Sequence, residues 1–545
     1  MAVAPVSRRS LLVLAASLAL AWLGAFFPAW VNSLGGSLVP TAIALLAVVL
    51  TRRVVTGLLA GSFAGALMLV GGRPDLAIGQ MVTEHLLPNF GSSWKVGALL
   101  FTLILGGFAA LIEKGGGLVA AIHRLTRGGS ASRRLQATTL GLGLVCFFDG
   151  LANSMLLGRV TREPARRCGV SGVKMAYLVD STSSSVACLA FISTWIAFQL
   201  SLIQEGLVAQ GSAVSPYTVF FQAIPFNYYC WFTLLLLAAV IRTGFHPGPM
   251  RAFEAQARRA LPESSPPQPT RTPGEDSGLW RALLPLAVLV LGIMALFYLW
   301  EARPLWPLTF RKFALAFGSG EGAHILLAGS VLGTFVAWLA FPPVSRSPER
   351  PLPVFLEGVR ALMVPALVLV SAWILSSVVG GLDTGTRLSE ALTGRLPPAW
   401  LAAGVFLAGA VISFTTGTSW GTMGILMPLA LPTVFSLGEG AAIGEAETYR
   451  LLASVVAAVF SGAVFGDHCS PFSDTTIVSS IACGVEPHDH VRTQLPFALI
   501  AAGVALPVGF LPSGYGLHPV VSLGIGALLL WGIALWGSGR LKRPS

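Results

Sequence analysis

Four short stretches place acids and hydroxyl side chains inside otherwise apolar sequence. They are FFDGLANS (147–154), VDSTSSSVACLAFISTW (179–195), FTTGTSWG (414–421) and FGDHCSPFSDTT (465–476). In a helix that crosses a membrane, a charge near the centre costs roughly 2.5–3.5 kcal/mol on insertion scales, so each acid there needs a function. Carboxylate, hydroxyl and carbonyl oxygens are hard ligands that suit sodium better than soft metals. Burial also favours the protonated form of an acid, so one site could hold either a sodium ion or a proton.

The acids and their polar neighbours together form the candidate site. The predicted ion- or proton-binding residues are Asp149, Asp180, Asp467 and Asp474. The predicted substrate-lining residues are Asn153, Ser181, Thr182, Thr416, Ser419, His468, Ser470, Ser473 and Thr475. We expect sodium at Asp467, Asp474 and Ser470. His468 fits both a proton relay and a core hydrogen bond, and many hydroxyls in membrane helices bond only to their own backbone carbonyls.

The composition indicates that these stretches lie in a membrane. The chain has 545 residues, of which 54% are hydrophobic and 11% charged, and its mean hydropathy is +0.75. An ordinary soluble domain has roughly 45–50% apolar and about 25% charged residues. The apolar runs approach the ~20 residues of a transmembrane helix, and the alternating ~10-residue segments of a β-barrel are not found. We therefore predict an all-α polytopic membrane protein.

The distribution of basic residues orders the apolar segments. The net charge of +11 comes from short clusters between apolar runs, which fits cytoplasmic loops better than a nucleic-acid surface. Twelve spans follow, at 11–30, 37–51, 54–71, 95–113, 174–205, 217–241, 280–300, 324–341, 354–380, 449–485, 494–513 and 518–536. The segments 135–158 and 399–436 are predicted as re-entrant hairpins, because the two loops that flank each favour the same side.

The order of spans and hairpins predicts two inverted repeats, each with a hairpin and a broken helix. The parts are an N-terminal transmembrane helix (1–36), a first repeat (37–244), a flexible Pro/Ser-rich cytoplasmic linker (245–279), a second, inverted repeat (280–513), and a last transmembrane helix with a basic cytoplasmic tail (514–545). Both termini are expected in the cytoplasm. Inverted repeats with interrupted helices are typical of secondary transporters that work by alternating access.

Other patterns allow competing interpretations. GTSWG (417–421) fits the G-x-S-x-G pattern of a hydrolase, but that motif needs a strand before the serine, and the preceding residues resemble an apolar helix, so no enzyme is expected. EPHDH (486–490) looks like a metal cluster but is predicted to be a solvated loop. Six cysteines lack CxxC spacing, which argues against zinc and disulfides. Arg8 and Arg9 could open an export signal, although the later spans favour a first transmembrane helix.

Several of these stretches resemble the NhaC-type sodium/proton antiporter family. The matching sequences are FGDHCSPFSDTTIVSS (465–480), DHVRTQLPFA (489–498), FTTGTSWGTMGILMP (414–428) and MAYLVDSTSSSVACLAFISTW (175–195). The resemblance implies a scaffold domain and a transport domain, a homodimer in the inner membrane of a bacterium, and exchange of sodium for protons without a cofactor. Some relatives exchange organic acids such as malate and lactate.

The resemblance carries roles to particular positions and also shows a departure. The polar positions that match the family motifs are Asp149, Asn153, Asp180, Thr416, Ser419, Asp467, Ser470 and Asp474. Thr416, Ser419 and Ser470 are then expected as oxygen ligands and Asn153 as an orienting residue. Gly150 stands where a second acid is expected beside Asp149. That loss favours an alternative function, a sodium- or proton-coupled carrier of a small carboxylate or amino acid.

Overall fold

The protein is helical in every regular element that the structure describes. The computed structural model describes residues 8–117, 120, 132–260, 278–301, 306, 309, 312, 316, 322–342, 349–392, 395–440 and 443–540. Within these ranges, ten helices are long and apolar enough to cross a membrane, or up to twelve if each of two bent pairs is one span. The predicted all-α polytopic fold is confirmed, and the chain is a multi-pass membrane protein.

The helices of the first half are bent or interrupted at several points. They are Arg8–Ala25, Pro28–Val31, Leu34–Ser37, Val39–Thr51, Val54–Leu69, Pro74–Gln80, the π-helix Met81–Leu86, Leu87–Gly91, Ser93–Lys114, Ser132–Val145, Gly150–Arg167, Gly172–Leu189, Ile196–Ala209, Pro216–Ala223, the 3₁₀-helix Ile224–Phe226, Tyr228–Thr243 and Met250–Arg259. The chain between 74 and 91, which lies between two predicted spans, is helical and lies at 116° to Val54–Leu69.

The second half has a similar succession of long and short helices. They are Trp280–Glu301, Gly322–Ala340, Pro351–Ala361, Met363–Gly381, Thr384–Leu392, the 3₁₀-helix Pro398–Trp400, Leu401–Thr416, Ser419–Gly440, Glu445–Cys469, Asp474–Cys483, Pro487–Val504, the π-helix Ala505–Phe510, Leu511–Gly514 and Pro519–Arg540. The inverted relation between the halves stays a prediction.

Both segments predicted as hairpins form pairs of packed helices. Their re-entrant course stays a prediction, and both arms of the second are long and apolar enough to cross a membrane. The first hairpin consists of Ser132–Val145 and Gly150–Arg167, and the second of Leu401–Thr416 and Ser419–Gly440. Asp149 begins the second arm of the first hairpin, where its Oδ1 accepts a hydrogen bond of 2.6 Å from the Ala152 amide. This is an N-cap, which satisfies an amide that has no partner within the helix.

Both predicted broken helices are also present. The first broken helix consists of Gly172–Leu189 and Ile196–Ala209, so its break lies at 190–195, after the STSSS run. The second broken helix consists of Glu445–Cys469 and Asp474–Cys483, with its break at 470–473. Hydroxyls and neighbouring helices must satisfy the backbone groups that each break frees.

Small residues bring the second hairpin and the second broken helix into close contact. A Cβ atom at Gly466 would lie 2.2 Å from the Phe414 amide nitrogen, and one at Gly462 would lie 2.7 Å from the Phe406 carbonyl oxygen. Gly417, between the arms of the hairpin, has a φ of 70°, and a Cβ there would lie 2.7 Å from the Phe472 backbone. Glycine is required at these positions because the backbones themselves touch.

The linker prediction is wrong for its first part. Met250–Arg259 forms a helix in which Met250 and Glu254 are buried. The helix is amphipathic, and Glu254 accepts two hydrogen bonds of 2.7 Å from the amide and the hydroxyl of Ser171. This contact anchors the helix to the start of the first broken helix. Residues 261–277 of the linker lie outside the described residues.

Candidate ion-binding site

The centre of the site is Asp467, a buried acid in the last turn of the first segment of the second broken helix. Its Oδ2 accepts hydrogen bonds from the hydroxyls of Ser184 (2.6 Å) and Thr475 (3.1 Å), and its Oδ1 accepts one from Ser473 (2.8 Å). Three hydroxyl donors stabilise a carboxylate that burial would otherwise penalise. Since Ser184 belongs to the first broken helix, this acid joins the two broken helices.

A second buried acid, Asp180, lies in the same polar network. Its Oδ2 accepts hydrogen bonds from the Gln494 side-chain amide (2.7 Å) and the Thr476 hydroxyl (3.4 Å). Thr476 also donates to the main-chain oxygen of Asp467 at 3.0 Å, so one hydroxyl connects the two acids. The Oδ1 atom of Asp180 has no hydrogen-bond partner among the described residues. One carboxylate oxygen therefore remains available to a ligand.

Two buried histidines lie beside the acids. His468 Nε2 is 2.7 Å from Ser181 Oγ, and its Nδ1 is 2.7 Å from the Tyr229 hydroxyl. His490 Nδ1 is 2.8 Å from Ser480 Oγ, while its Nε2 is 2.6 Å from Gln494 Oε1. Both nitrogens of each ring are engaged, so the rings have fixed orientations.

The first hairpin contacts this network through its tip and second arm. Asn153 Nδ2 donates to the main-chain oxygens of Gly143 (3.2 Å) and Thr182 (3.3 Å), which joins both arms of the hairpin to the first broken helix. The Ser183 hydroxyl donates to the Gly150 carbonyl at 2.6 Å. A Cβ atom at Gly150 would lie 3.0 Å from that same hydroxyl oxygen. A larger side chain at position 150, such as the expected acid, would therefore crowd the Ser183 hydroxyl.

The second hairpin contacts the break of the second broken helix. The Ser470 hydroxyl donates to the Phe414 carbonyl at 2.7 Å. Thr416 donates to the carbonyl of Ile412 in its own helix at 2.7 Å. Ser419 is buried at the start of the second arm. The hydroxyls of Thr416 and Ser470 therefore bind backbone carbonyls. Any role of Thr416, Ser419 and Ser470 in ion binding stays a prediction.

Asp474 differs from the other predicted acids because its side chain is exposed, although Asp149, Asp180 and Asp467 are buried. It opens the segment Asp474–Cys483, whose next residues, Thr475 and Thr476, point into the network. No hydrogen bond joins Asp474 to Asp467 among the described residues, whereas Ser473 and Thr475 on either side of it both donate to Asp467. Sodium binding by Asp467, Asp474 and Ser470 together stays a prediction.

The remaining predicted residues have separate positions. Ser473 and Thr475 donate to Asp467, and Ser181 contacts His468. Thr182 donates to the carbonyl oxygens of its own helix, at 3.0 and 3.1 Å.

Sequence reasoning missed part of the network. The missed residues are Ser184, Tyr229, Thr476, His490 and Gln494. The loop prediction for EPHDH is wrong, because residues 487–490 begin a helix. The expected exposure to solvent fails at His490, which is fully buried. The i, i+4 spacing of His490 and Gln494, like that of Asp180 and Ser184, places each pair on one helical face. For Ser184, His490 and Gln494, that spacing is the signal by which the sequence could have identified them.

The donor atoms of the site fit an alkali cation. Among the described residues, no group of three or more His, Cys, Asp or Glu could hold a metal ion. The network instead presents carboxylate, hydroxyl and main-chain oxygens. The carbonyl end of a half-helix, where Asp467 lies, also carries a partial negative charge that attracts cations. The helix Leu401–Thr416 precedes GTSWG, so the strand that a hydrolase motif needs is absent from this part of the chain.

Comparisons with known proteins agree with this arrangement. An uncharacterized protein of Haemophilus influenzae is 29% identical over 495 residues, which cover 88% of this chain and 91% of that protein. The malate-2H(+)/Na(+)-lactate antiporter of Bacillus subtilis is 34% identical over 162 residues, 29% of this chain and 31% of the relative. The Na(+)/H(+) antiporter NhaC of Alkalihalophilus pseudofirmus is 31% identical over 158 residues, 28% of this chain and 30% of the relative.

The family model named Na+/H+ antiporter family matches residues 186–512, which is more than half of the chain and includes Asp467, His468 and Gln494. The protein is therefore a membrane transporter rather than an enzyme, and the chain belongs to the Na+/H+ antiporter family.

Proposed function

We propose that this transporter exchanges sodium ions for protons across the inner membrane of a bacterium by alternating access. The observation that carries the proposal is the buried Asp467 carboxylate at the junction of the two broken helices, surrounded by the hydroxyls of Ser184, Ser473 and Thr475. Both termini are expected in the cytoplasm, and the working unit is expected to be a homodimer.

Exchange follows from the competition of two cations for one negative charge. A sodium ion at Asp467 takes the carboxylate oxygens together with the lone pairs of the surrounding hydroxyls, which rotate away from the carboxylate. A proton neutralises the same carboxylate without those ligands. Since a bare charge is costly inside the membrane, the loaded forms change orientation more readily than the empty one. Each sodium ion that leaves is then replaced by a proton.

Asp180 is proposed as the second acid of the site. Its Oδ1 has no hydrogen-bond partner among the residues that the structure describes, while Oδ2 accepts from Gln494 and Thr476. Since Thr476 connects Asp180 to the main chain of Asp467, cation binding at one acid changes the hydrogen bonds of the other. Asp149 is proposed to hold the hairpin tip rather than the ion, because its Oδ1 caps the second arm.

The test is cation-driven proton movement in proteoliposomes. The full chain is reconstituted with a pH-sensitive dye inside, an inside-acid gradient is imposed, and sodium, lithium or potassium is added outside in turn. We expect sodium to alkalinise the lumen and Asp467→Asn to abolish this response while eluting as the native protein does in detergent. A sodium response of native size in Asp467→Asn would refute the assignment.

A second candidate function is exchange of a small carboxylate or amino acid coupled to sodium or protons. The observation that favours it is the first hairpin, where Gly150 and the Ser183 hydroxyl replace an acidic side chain. A site with one fewer negative charge accepts an organic anion more easily. The relative from Bacillus subtilis, named for malate and lactate, points to the same class. Proton movement that requires an added organic acid, and not sodium alone, would select this candidate.

A further inference from the structure

A cavity of about 330 Å³ lies outside the transport site, on the side of the protein predicted to face the cytoplasm. Its walls come from the starts of Ser132–Val145 and Gly172–Leu189, the end of Tyr228–Thr243, and the amphipathic helix Met250–Arg259. We call it the basic pocket. Its volume is at the small end of the range for ligand sites in proteins, roughly 300–1,000 Å³, so it fits a small ligand.

The walls of the basic pocket carry an excess of positive charge. Among the described residues, it is lined by Arg133, Lys174, Arg251 and Arg258, and by one acid, Glu254. The three arginines are exposed at the pocket, whereas Lys174 is buried at its base. Arginine presents a planar fork of donors that matches the oxygens of a phosphate group. The arrangement therefore favours an anion with several oxygen atoms.

Glu254, the one acid among the described residues of the pocket wall, already has its partners. Glu254 Oε1 accepts two hydrogen bonds from Ser171, and its Oε2 lies 3.7 Å from Lys174 Nζ. Lys174 Nζ is also 2.7 Å from His246 Nε2. Burial, and then the charges of Lys174 and Arg258, lower the pKa of His246 to about 3, so its ring is neutral and accepts from Lys174. Glu254 therefore offsets Lys174, and within the described part of the chain the three arginines have no ion-pair partner.

We propose that the basic pocket binds a phosphate-bearing anion, held by the guanidinium groups of Arg133, Arg251 and Arg258 above the Lys174 ammonium. A free phosphate compound and the headgroup of an anionic phospholipid share this chemistry. Ser171 and Lys174 open the helix that also carries Asp180 and Ser184, so the ligand contacts a transport element from outside the transport site.

The test measures phosphate binding to the purified full chain in a neutral detergent. Calorimetric titrations use inorganic phosphate and glycerol 3-phosphate, and native mass spectrometry counts retained phosphatidylglycerol against phosphatidylethanolamine. The variant is the double substitution Arg251→Gln and Arg258→Gln, both exposed positions that tolerate a polar side chain. Arg259→Gln is the matched control, because Arg259 lies on the same helix next to Arg258 but does not line the pocket.

We expect at least one phosphate probe to bind the native chain, about tenfold or more weaker binding in the double variant, and near-native binding in Arg259→Gln. Binding of the soluble phosphates alone identifies a free ligand, and selective retention of phosphatidylglycerol identifies a lipid; either result supports the pocket. No binding of any probe to the native chain, or equal losses in the double variant and in Arg259→Gln, would overturn the proposal.

Discussion

Replacing Ser184 by alanine removes one of the hydroxyls that surround Asp467. The two groups are buried, and Ser184 Oγ lies 2.6 Å from Asp467 Oδ2. A hydrogen bond to a charged group contributes about 1.5–3 kcal/mol, and about 1.4 kcal/mol corresponds to a factor of ten. The empty carboxylate loses this stabilisation, which favours its protonated form, so a proton competes with sodium more strongly by the same factor. A bound sodium ion also loses one oxygen ligand. Ser184→Ala should therefore raise the sodium concentration for half-maximal exchange by about 10- to 100-fold.

The assay is the sodium dependence of dye alkalinisation in proteoliposomes at a fixed pH. Ser185→Ala is the matched control, because it removes a hydroxyl from the next position and leaves the donors of Asp467, which are Ser184, Ser473 and Thr475. We expect the control to keep the native half-saturation concentration within about threefold. Equal sodium dependence in Ser184→Ala and the native chain, at equal amounts of folded protein, would contradict the reasoning.

The other predictions concern packing, a buried ion pair and the exposed acid. Gly466→Ala should lower the apparent Tm or prevent recovery of folded protein, because the added Cβ lies 2.4 Å from the Ser413 side chain and overpacking costs about 1–3 kcal/mol. Glu254→Gln should lower the apparent Tm in detergent by several degrees, because it leaves Lys174 buried without its carboxylate; breaking a buried pair costs about 3–5 kcal/mol. An unchanged Tm in Gly466→Ala would refute the close packing at Gly466, and an unchanged Tm in Glu254→Gln would refute the ion pair with Lys174. Asp474→Asn should retain sodium-driven exchange, and complete loss would return Asp474 to the ion site, as the sequence predicts.

Basic clusters located the paired helices of the predicted hairpins, and polar residues inside apolar sequence located the broken helices, but neither pattern predicted side-chain directions. The flanking basic clusters of 135–158 marked the first hairpin, and Asp149 is indeed at its tip. The depth of an acid along a span says nothing about its face. Asp474 was predicted to bind the ion and Thr475 to line the site, yet of these two only Thr475 forms a hydrogen bond with Asp467. The position of the break after STSSS depends on tertiary contacts, such as the Thr194 amide bonding to the Phe148 carbonyl at 2.9 Å.

The cluster of polar residues in EPHDH led to the wrong prediction of a solvated loop. A charged cluster between two apolar runs is usually a solvated loop, yet this one begins a helix whose next turns enter the core. His490 is buried there because Ser480 and Gln494 provide partners for its two ring nitrogens. Those partners come from two helices, and their proximity depends on the packing of the whole bundle. Only the i, i+4 spacing of His490 and Gln494 was visible in the sequence.

The central claim is that sodium and a proton compete for the same carboxylate at Asp467. The most direct test is the half-saturation concentration for sodium measured in proteoliposomes across a range of external pH. Competition at one acid predicts that this concentration rises about tenfold for each unit of acidification in the range where the proton wins, with the maximal rate unchanged. A half-saturation concentration that stays constant while the maximal rate falls would mean separate sites and would contradict the account.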